Sequence, residues 1–384
     1  MKITAVDSWL VHVPFKEDIH WASGKRSGVT RLVTRITTNA GIVGWGETIS
    51  LIDAVPAVFE KVVKPLAIGY PVASVERFSR HVLGAGYYHH KRAAVMAMAG
   101  LEMAMWDALG KACQQPLHRL WGGLFREKVA AAAYLFLPDP GACAEKAAWF
   151  ADQGYAAFKV KIGYSAERDV AIVQALRGRL GADAHIRADV NGAWYPGTAR
   201  RILHSLEPFD LAYVEQPLPV EDVRGHARLR AAQAVPIAID EGAYTLEEIL
   251  EIVRADAADV VLLDPHESGG LWQTLKAGGL TEAANIPVTL HSGAELGLSQ
   301  AAYLHLAASM PNMVLAIDTE RAYLAGDVVR NPPLLEDGYF TVPQGPGLGV
   351  EPDISLLEQY AVETIPCAYL DPDRPGWFSV KPAY

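Results

Sequence analysis

A parallel βα repeat closed into an eight-stranded barrel, preceded by an α+β region, is the α/β architecture this sequence predicts. Three observations carry that reading. Seven short apolar segments each end in a polar residue, at Lys161, Asp189, Glu215, Asp240, Asp264, His291 and Asp318, with successive steps of 24 to 28 residues. One strand, loop and helix take about 25–30 residues, so this is the beat of a βα unit. An eighth segment near Tyr134–Leu137 completes a closed ring. A doubly wound open sheet would share the beat, but would not need a polar residue at every strand end. In a barrel those ends converge on one face, where active sites lie.

The elements follow in order. Lys2–Val6 alternates as a strand does, and Arg31–Ile36 leads through the turn Asn39-Ala40-Gly41 into a second strand, Ile42–Glu47. From Ala54 to Gln115 the spacing becomes helical, most clearly over Arg92–Ala112, rich in Ala, Met and Leu. Leu117–Gly123 reads as a linker. After the repeat, Gly338–Gly349 predicts a strand and a Gly/Pro-rich turn returning to the N-terminal β region. A chain of 384 residues is long enough for two domains.

Composition narrows the partners. A net charge of −10 and a pI near 5.7 argue against nucleic acid or an anionic membrane. No apolar run reaches the roughly 18–20 residues that span a bilayer. Cys113, Cys143 and Cys367 are too few and scattered for a disulfide framework or thiolate metal site, which fits a reducing cytoplasm.

The strand-end residues carry the chemistry. Asp189, Glu215 and Asp240 end consecutive units, and three carboxylates in register would repel one another unless a hard cation such as Mg²⁺ joined them. Lys159 and Lys161 lie two apart on one strand, so both face the same way, and their apolar flanks place that face inside. Beside a divalent cation both ammonium groups should have lowered pKa values, which suits one of them to act as a general base. Asp264 and His291 end neighbouring strands, where a carboxylate on one imidazole nitrogen would leave the other free to move protons. Asp318 is a cap, a partner for Arg321 or a substrate contact.

At these residues the chain resembles the mandelate racemase and muconate lactonizing enzyme branch of the enolase superfamily. The matching stretches are Phe158-Lys-Val-Lys-Ile-Gly-Tyr164, Ala188-Asp-Val-Asn-Gly192, Val214-Glu-Gln-Pro217, Ile239-Asp-Glu-Gly242, Glu267-Ser-Gly-Gly270, Leu290-His-Ser-Gly293 and Gly345-Pro-Gly-Leu-Gly349. Each is weak alone, but their order and spacing span nearly the whole chain. The resemblance implies a modified (β/α)7β TIM-type barrel over 126–335. It also implies an α+β capping domain built from 1–125 and the C-terminal segment 336–384. It implies Mg²⁺ holding a small-molecule carboxylate substrate and stabilising the enediolate left when the α-proton is removed. Homo-oligomers from dimer to octamer are expected.

Carried over residue by residue, Lys161 would be the base on one substrate face and His291 the acid or base on the other, oriented by Asp264. Lys159 would neutralise the substrate carboxylate and Asp318 would hydrogen-bond to it, with Asn191 beside the first metal ligand. Two positions depart from parts of the family. Lactonizing and epimerizing relatives carry a second Lys on the sixth strand, where this chain has Asp264, so the racemase-like His–Asp pair is favoured. The fifth strand ends Asp240-Glu241, leaving Asp240 as the expected third ligand and Glu241 as the alternative. Pro265-His266-Glu267 is also unusual in a loop where a Lys often sits. Loops near His20–Gly24 and Thr48–Ser50 should read the substrate, with Trp21 either a contact or a packing residue. The expected reaction is dehydration of an acid sugar to a 2-keto-3-deoxy acid; racemization or epimerization is the alternative and cycloisomerization the third. A retired enzyme kept as a binding module would show a gap in this constellation, and a Zn²⁺ hydrolase would need more histidines on the series.

Overall fold

The structure, a computed structural model, describes residues 1–21, 24–85 and 91–365. Ala22 and Ser23 of the expected substrate-reading loop, Cys367 and the chain beyond 365 lie outside the described residues. An antiparallel sheet opens the chain: β1 (Ile3–Trp21), β2 (Gly24–Thr38) and β3 (Val43–Ile49) in that order. Leu32 and Ile36 on one face, and Val33 and Trp45 on the other, are fully or nearly fully buried. The sheet packs on the helix Lys91–Cys113, whose Ala- and Gly-rich face lets the backbones approach closely. At Gly46 a Cβ would lie 1.9 Å from the Gly100 carbonyl, so only glycine fits there.

The repeat folds as eight parallel strands: β4 (Lys128–Leu135), β5 (Ala157–Lys161), β6 (His185–Asp189), β7 (Tyr213–Glu215), β8 (Ile237–Ile239), β9 (Val260–Leu263), β10 (Val288–Leu290) and β11 (Ile317–Thr319). Each pairs with its predecessor from β4 to β10, and β11 pairs in parallel with β4 on its far side, which brings the sheet round to a barrel. The helices Pro140–Asp152, Ala166–Leu180, Pro196–Leu206, Val223–Ala231, Leu246–Ala255, Leu271–Ala283 and Gly297–Ser309 fill the crossovers. Seven long helices among eight strands make a (β/α)7β barrel. Of the seven polar residues that mark the strand ends, Asp189, Glu215, Asp240, Asp264 and Asp318 are 1 % exposed or less, while Lys161 and the partly buried His291 reach further toward solvent.

After the barrel come β12 (Leu335–Glu336) and β13 (Tyr339–Thr341). β13 pairs antiparallel with the start of β4, not with the N-terminal sheet, because Ala130, Val129 and Lys128 offer it a free edge. The chain then reaches the capping helix: Leu348 N–H and Trp45 N–H both donate to buried Asp107, at 2.9 and 2.8 Å. Further on, Val362 N–H donates to Leu10 and His12 N–H to Tyr360, so the C-terminal segment lies against β1. Leu117–Leu120, read as linker, is a short helix with His118 fully buried.

Buried charge ties cap to barrel. Arg31 on β2 is fully buried and reaches Gly293 O (2.7 Å), Ala294 O (3.2 Å) and Glu295 (3.3 Å) in the loop after β10. Glu47 on β3 accepts from Leu296 N–H and Ser299 N–H, both at 3.0 Å, capping the helix Gly297–Ser309 from another domain. Glu102 does the same for Leu271 and Trp272 at 2.8 and 3.0 Å. Gly270 is required there, since at φ 125° any Cβ would meet the Glu102 carboxyl at 2.4 Å.

Glu47→Ala should remove a cross-domain cap and leave Arg31 short of a counter-charge, costing roughly 3 kcal/mol. Removing the exposed Arg254–Glu251 pair should change stability by about 0.5 kcal/mol or less. Thermal unfolding of both variants checks this; equal shifts would discard the docking role of Glu47.

Candidate active site

Backbone geometry delivers the strand ends to one place. Asp189 and Glu215 sit side by side in the β6–β7 register, and Glu215 is level with Ala238 on β8. Just past two of these carboxylates the chain turns through left-handed residues, Asn191 (φ 47°) and Gln216 (φ 39°). Gln216 Oε1 then accepts from Asp240 N–H and Gly242 N–H, each at 3.2 Å, stitching the ends of β7 and β8 together.

The expected site residues fall into two tiers. Lys161, Asn191, Asp240, Glu241, His291 and Trp21 line a cavity of about 230 Å³ at the barrel mouth. Lys159, Glu215, Asp189, Asp264 and Asp318 lie beneath it, each 1 % exposed or less. In the lower tier Lys159 Nζ is 2.5 Å from Glu215, 2.7 Å from Asp318 and 3.3 Å from Asp189. Burial alone would lower its pKa, but Asp318 and Glu215 outweigh burial and hold it well above the ordinary lysine value. Asp318 also accepts from Arg187 (3.1 Å) and the Tyr134 hydroxyl (3.2 Å). Arg321 pairs with Asp327 instead, at 2.8 Å.

In the upper tier Lys161 Nζ donates to Asp189 at 2.5 Å and Asn191 at 3.2 Å, and Asn191 in turn donates to Glu241 at 2.9 Å. Across the cavity His291 Nδ1–H donates to Asp264 Oδ2 at 2.9 Å. Asp264 Oδ1 accepts from His266 N–H at 2.7 Å and the Tyr303 hydroxyl at 3.1 Å, so the carboxylate that aims the imidazole is itself fixed. His291 Nε2 lies 3.8 Å from Asp240. Burial would lower the imidazole pKa, but Asp240 and Asp264 hold it well above its usual value.

The carboxylates fit a divalent cation. Glu215 Oε2 and Asp240 Oδ1 are buried with no hydrogen-bond partner. Burial, then the Asp189 charge, pushes Glu215 well above the usual carboxylate range, and burial takes Asp240 up to about 7 against the pull of His291. A cation ligated there would supply the missing partners and relieve the repulsion. Among the described residues the cluster whose ligand atoms all lie within 4.8 Å of one another is a different one, Asp264, Glu267 and His291, and Asp189, Glu215 and Asp240 form no such group as they stand. In that cluster Asp264 Oδ2 and His291 Nδ1 already bond to each other.

Arg26, Tyr244, Glu267 and Glu320 are among the cavity residues not singled out as site residues from sequence. Arg26 donates to both oxygens of Glu320, at 3.1 and 2.9 Å, and its guanidinium lies 5.7 Å from the Trp21 ring. Glu320 follows Asp318 by two, the same alternation that placed Lys159 beside Lys161, so a signal for it existed.

Residues 142–356 match the family description "Enolase C-terminal domain-like", and residues 3–122 match "Mandelate racemase / muconate lactonizing enzyme, N-terminal domain". An N-succinyl-L-Arg/Lys racemase of Bacillus cereus is 27 % identical, covering 94 % of this chain and 98 % of that one. An arabinonate dehydratase of Saccharolobus solfataricus is 29 % identical over 86 % and 90 % of the two chains. The crystal structure of an isomerase from Streptomyces coelicolor A3(2) superposes with a TM-score of 0.84 at 33 % identity, covering 94 % of this chain and 98 % of that one.

The raised carboxyl groups set a pH prediction for metal-free protein. A group whose folded pKa exceeds its unfolded value stabilises the fold below the unfolded value and loses that contribution as pH rises through the folded one. Asp240, from 3.8 to about 7, and His291, raised from 6.5, both act in this direction. Chelator-treated protein should therefore melt at lower temperature as pH rises from about 6 to 8, and a saturating divalent cation should flatten that slope. A metal-free melting temperature that climbs over this range would contradict the charge balance described.

Proposed function

The chain belongs to the mandelate racemase and muconate lactonizing enzyme family of the enolase superfamily, and on that premise we propose a Mg²⁺-dependent acid-sugar dehydratase forming a 2-keto-3-deoxy acid. The observation that carries this reading is the His291–Asp264 pair, facing the same cavity as Lys161 from another part of the ring. Asp189, Glu215 and Asp240 would hold Mg²⁺, with Asn191 and Glu241 bridging to the Lys161 side. Bound there, Mg²⁺ supplies positive charge against the substrate carboxylate, which acidifies the neighbouring C–H.

Lys161 Nζ takes the C2 proton as the neutral amine, the form left once the ammonium releases Asp189 and gives one proton to solvent. The electron pair left at C2 expels the C3 hydroxyl, which departs as water with a proton from His291 Nε2. The resulting enol takes a proton at C3 and releases the one on its C2 oxygen, becoming the 2-keto acid, so atoms and charge balance. Lys159 acts from beneath, offsetting charge at the carboxylate end of the cavity, where Asp318 would hydrogen-bond to the substrate. Racemization or epimerization is the second reading, favoured by the likeness to the Bacillus cereus racemase. It would use the same two groups on a substrate without a β-hydroxyl. Cycloisomerization comes third. A reducing cytoplasm and a homo-oligomeric assembly fit this reading.

A Mg²⁺-supplemented screen of acid sugars in D₂O tests it. Keto acid trapped by semicarbazide is expected, lost with EDTA and restored by Mg²⁺; α-deuteration without keto acid would move the assignment to racemase or epimerase. His291→Asn should lower keto-acid formation by about 10²-fold or more while Lys161 still exchanges the α-proton. Loss of exchange and turnover together would overturn the division of labour between the two faces.

A further inference from the structure

Glu267 is a buried carboxylate in the wall of the catalytic cavity, 8 % exposed, with Oε2 lacking any hydrogen-bond partner. The Tyr244 hydroxyl lies beside this side chain in the same cavity wall. Tyr244 is held in turn by Arg92, whose guanidinium lies 4.5 Å from its ring centre. The chain N-caps this turn with Asp264, so the backbone carrying Glu267 is rigid: Glu267 N–H itself points at the Asp264 carboxylate, 3.4 Å away. A desolvated carboxylate oxygen without a donor costs stability in the empty enzyme. It becomes an asset only when a ligand brings a donor to it.

The positive groups of the cavity cannot serve a second anion. Among the described lining residues, Arg26 is committed to both oxygens of Glu320 and His291 to Asp264, and Lys161, bonded to Asp189 here, is the neutral base of the proposed reaction once released. Burial and the Asp264 charge push the Glu267 carboxyl well above the usual range, so the surroundings already disfavour negative charge, and a far carboxylate on the substrate would add more without a free cation to answer it. A far hydroxyl would instead donate to the orphan oxygen without adding charge.

We infer that Glu267, oriented by Tyr244, is a specificity residue that accepts a hydrogen bond from a substrate hydroxyl and selects sugar acids with one carboxylate over those with two. The inference rests on the dehydratase reading for its substrate class and narrows that class to aldonates.

The test is binding to the full chain with Mg²⁺ present, by calorimetry, using aldonates each paired with the aldarate of the same configuration. The wild type should prefer at least one aldonate over its diacid by roughly tenfold or more. Glu267→Gln should remove most of that preference, and Tyr244→Phe should reduce it by a smaller factor, with circular dichroism confirming that both fold. A wild type that binds paired acids equally or binds none of them, or a Glu267→Gln protein that keeps the preference, would overturn the inference. So would tighter binding of a cationic amino-acid derivative than of any aldonate, since an ammonium would then be the donor. Binding selectivity without keto-acid formation would sink the dehydratase reading and leave the assignment of Glu267 standing.

Discussion

Two buried cations at the centre of the barrel, Lys159 and Arg187, make the rest of the site possible. Both are 2 % exposed or less, and between them they face Asp318, Glu215 and Asp189. Burying such charges is costly unless each is paired and hydrogen-bonded. Here Asp318 answers both cations and Tyr134 as well, which fixes the floor of the cavity as a rigid lattice of charge. Where that floor meets the cavity the carboxylates outnumber their partners, and the deficit appears as the orphan oxygens of Glu215 and Asp240. The floor is thus stable by itself, while the layer above it is completed by what binds.

The cap imposes a second constraint. The loop that carries His291 would be a free connection on an isolated barrel, but Arg31 grips it at Gly293, Ala294 and Glu295. Glu47 and Glu102 then cap two barrel helices from the other domain. Burial pushes both of these carboxyls up to about 7, the cost of placing them between domains. In exchange, the wall formed by Trp21, Ile49 and Leu51 is registered against the strand ends. Chemistry and recognition are therefore separate in sequence yet fixed relative to one another by buried ion pairs.

Much of this was legible because barrel closure turns a sequence period into a spatial ring. The regular spacing of polar strand ends located Lys161, Asp189, Asp240 and His291 before any coordinates. Arg187 was missed although it shares the parity of Asp189, because an arginine flanked by Ile186 and Ala188 also suits an outward-facing strand position. Arg31 could not be found this way: its partner Glu295 is 264 residues distant, and no local pattern encodes that contact. The strand Tyr339–Thr341 was legible as a strand but not its pairing, since the free edge of β4 is created only by the closed barrel. Glu267 stood out in sequence as an unusual residue; only its orphan oxygen gives that oddity a meaning.

The same surplus of negative charge ties the proposed metal to the proposed substrate. Asp240, Glu241, Glu267 and Glu320 line the cavity against Arg26, Lys161 and His291, and each of these positive groups is already bonded to a carboxylate. An apolar ligand would bury these acids unanswered, and an anionic ligand alone would add repulsion. What the cavity can accept is an anion escorted by a divalent cation at one end and rich in hydroxyl donors at the other. A polyhydroxy monocarboxylate with Mg²⁺ meets both demands at once. On this argument the metal's first role is electrostatic admission of the substrate, and only then activation of its α-proton.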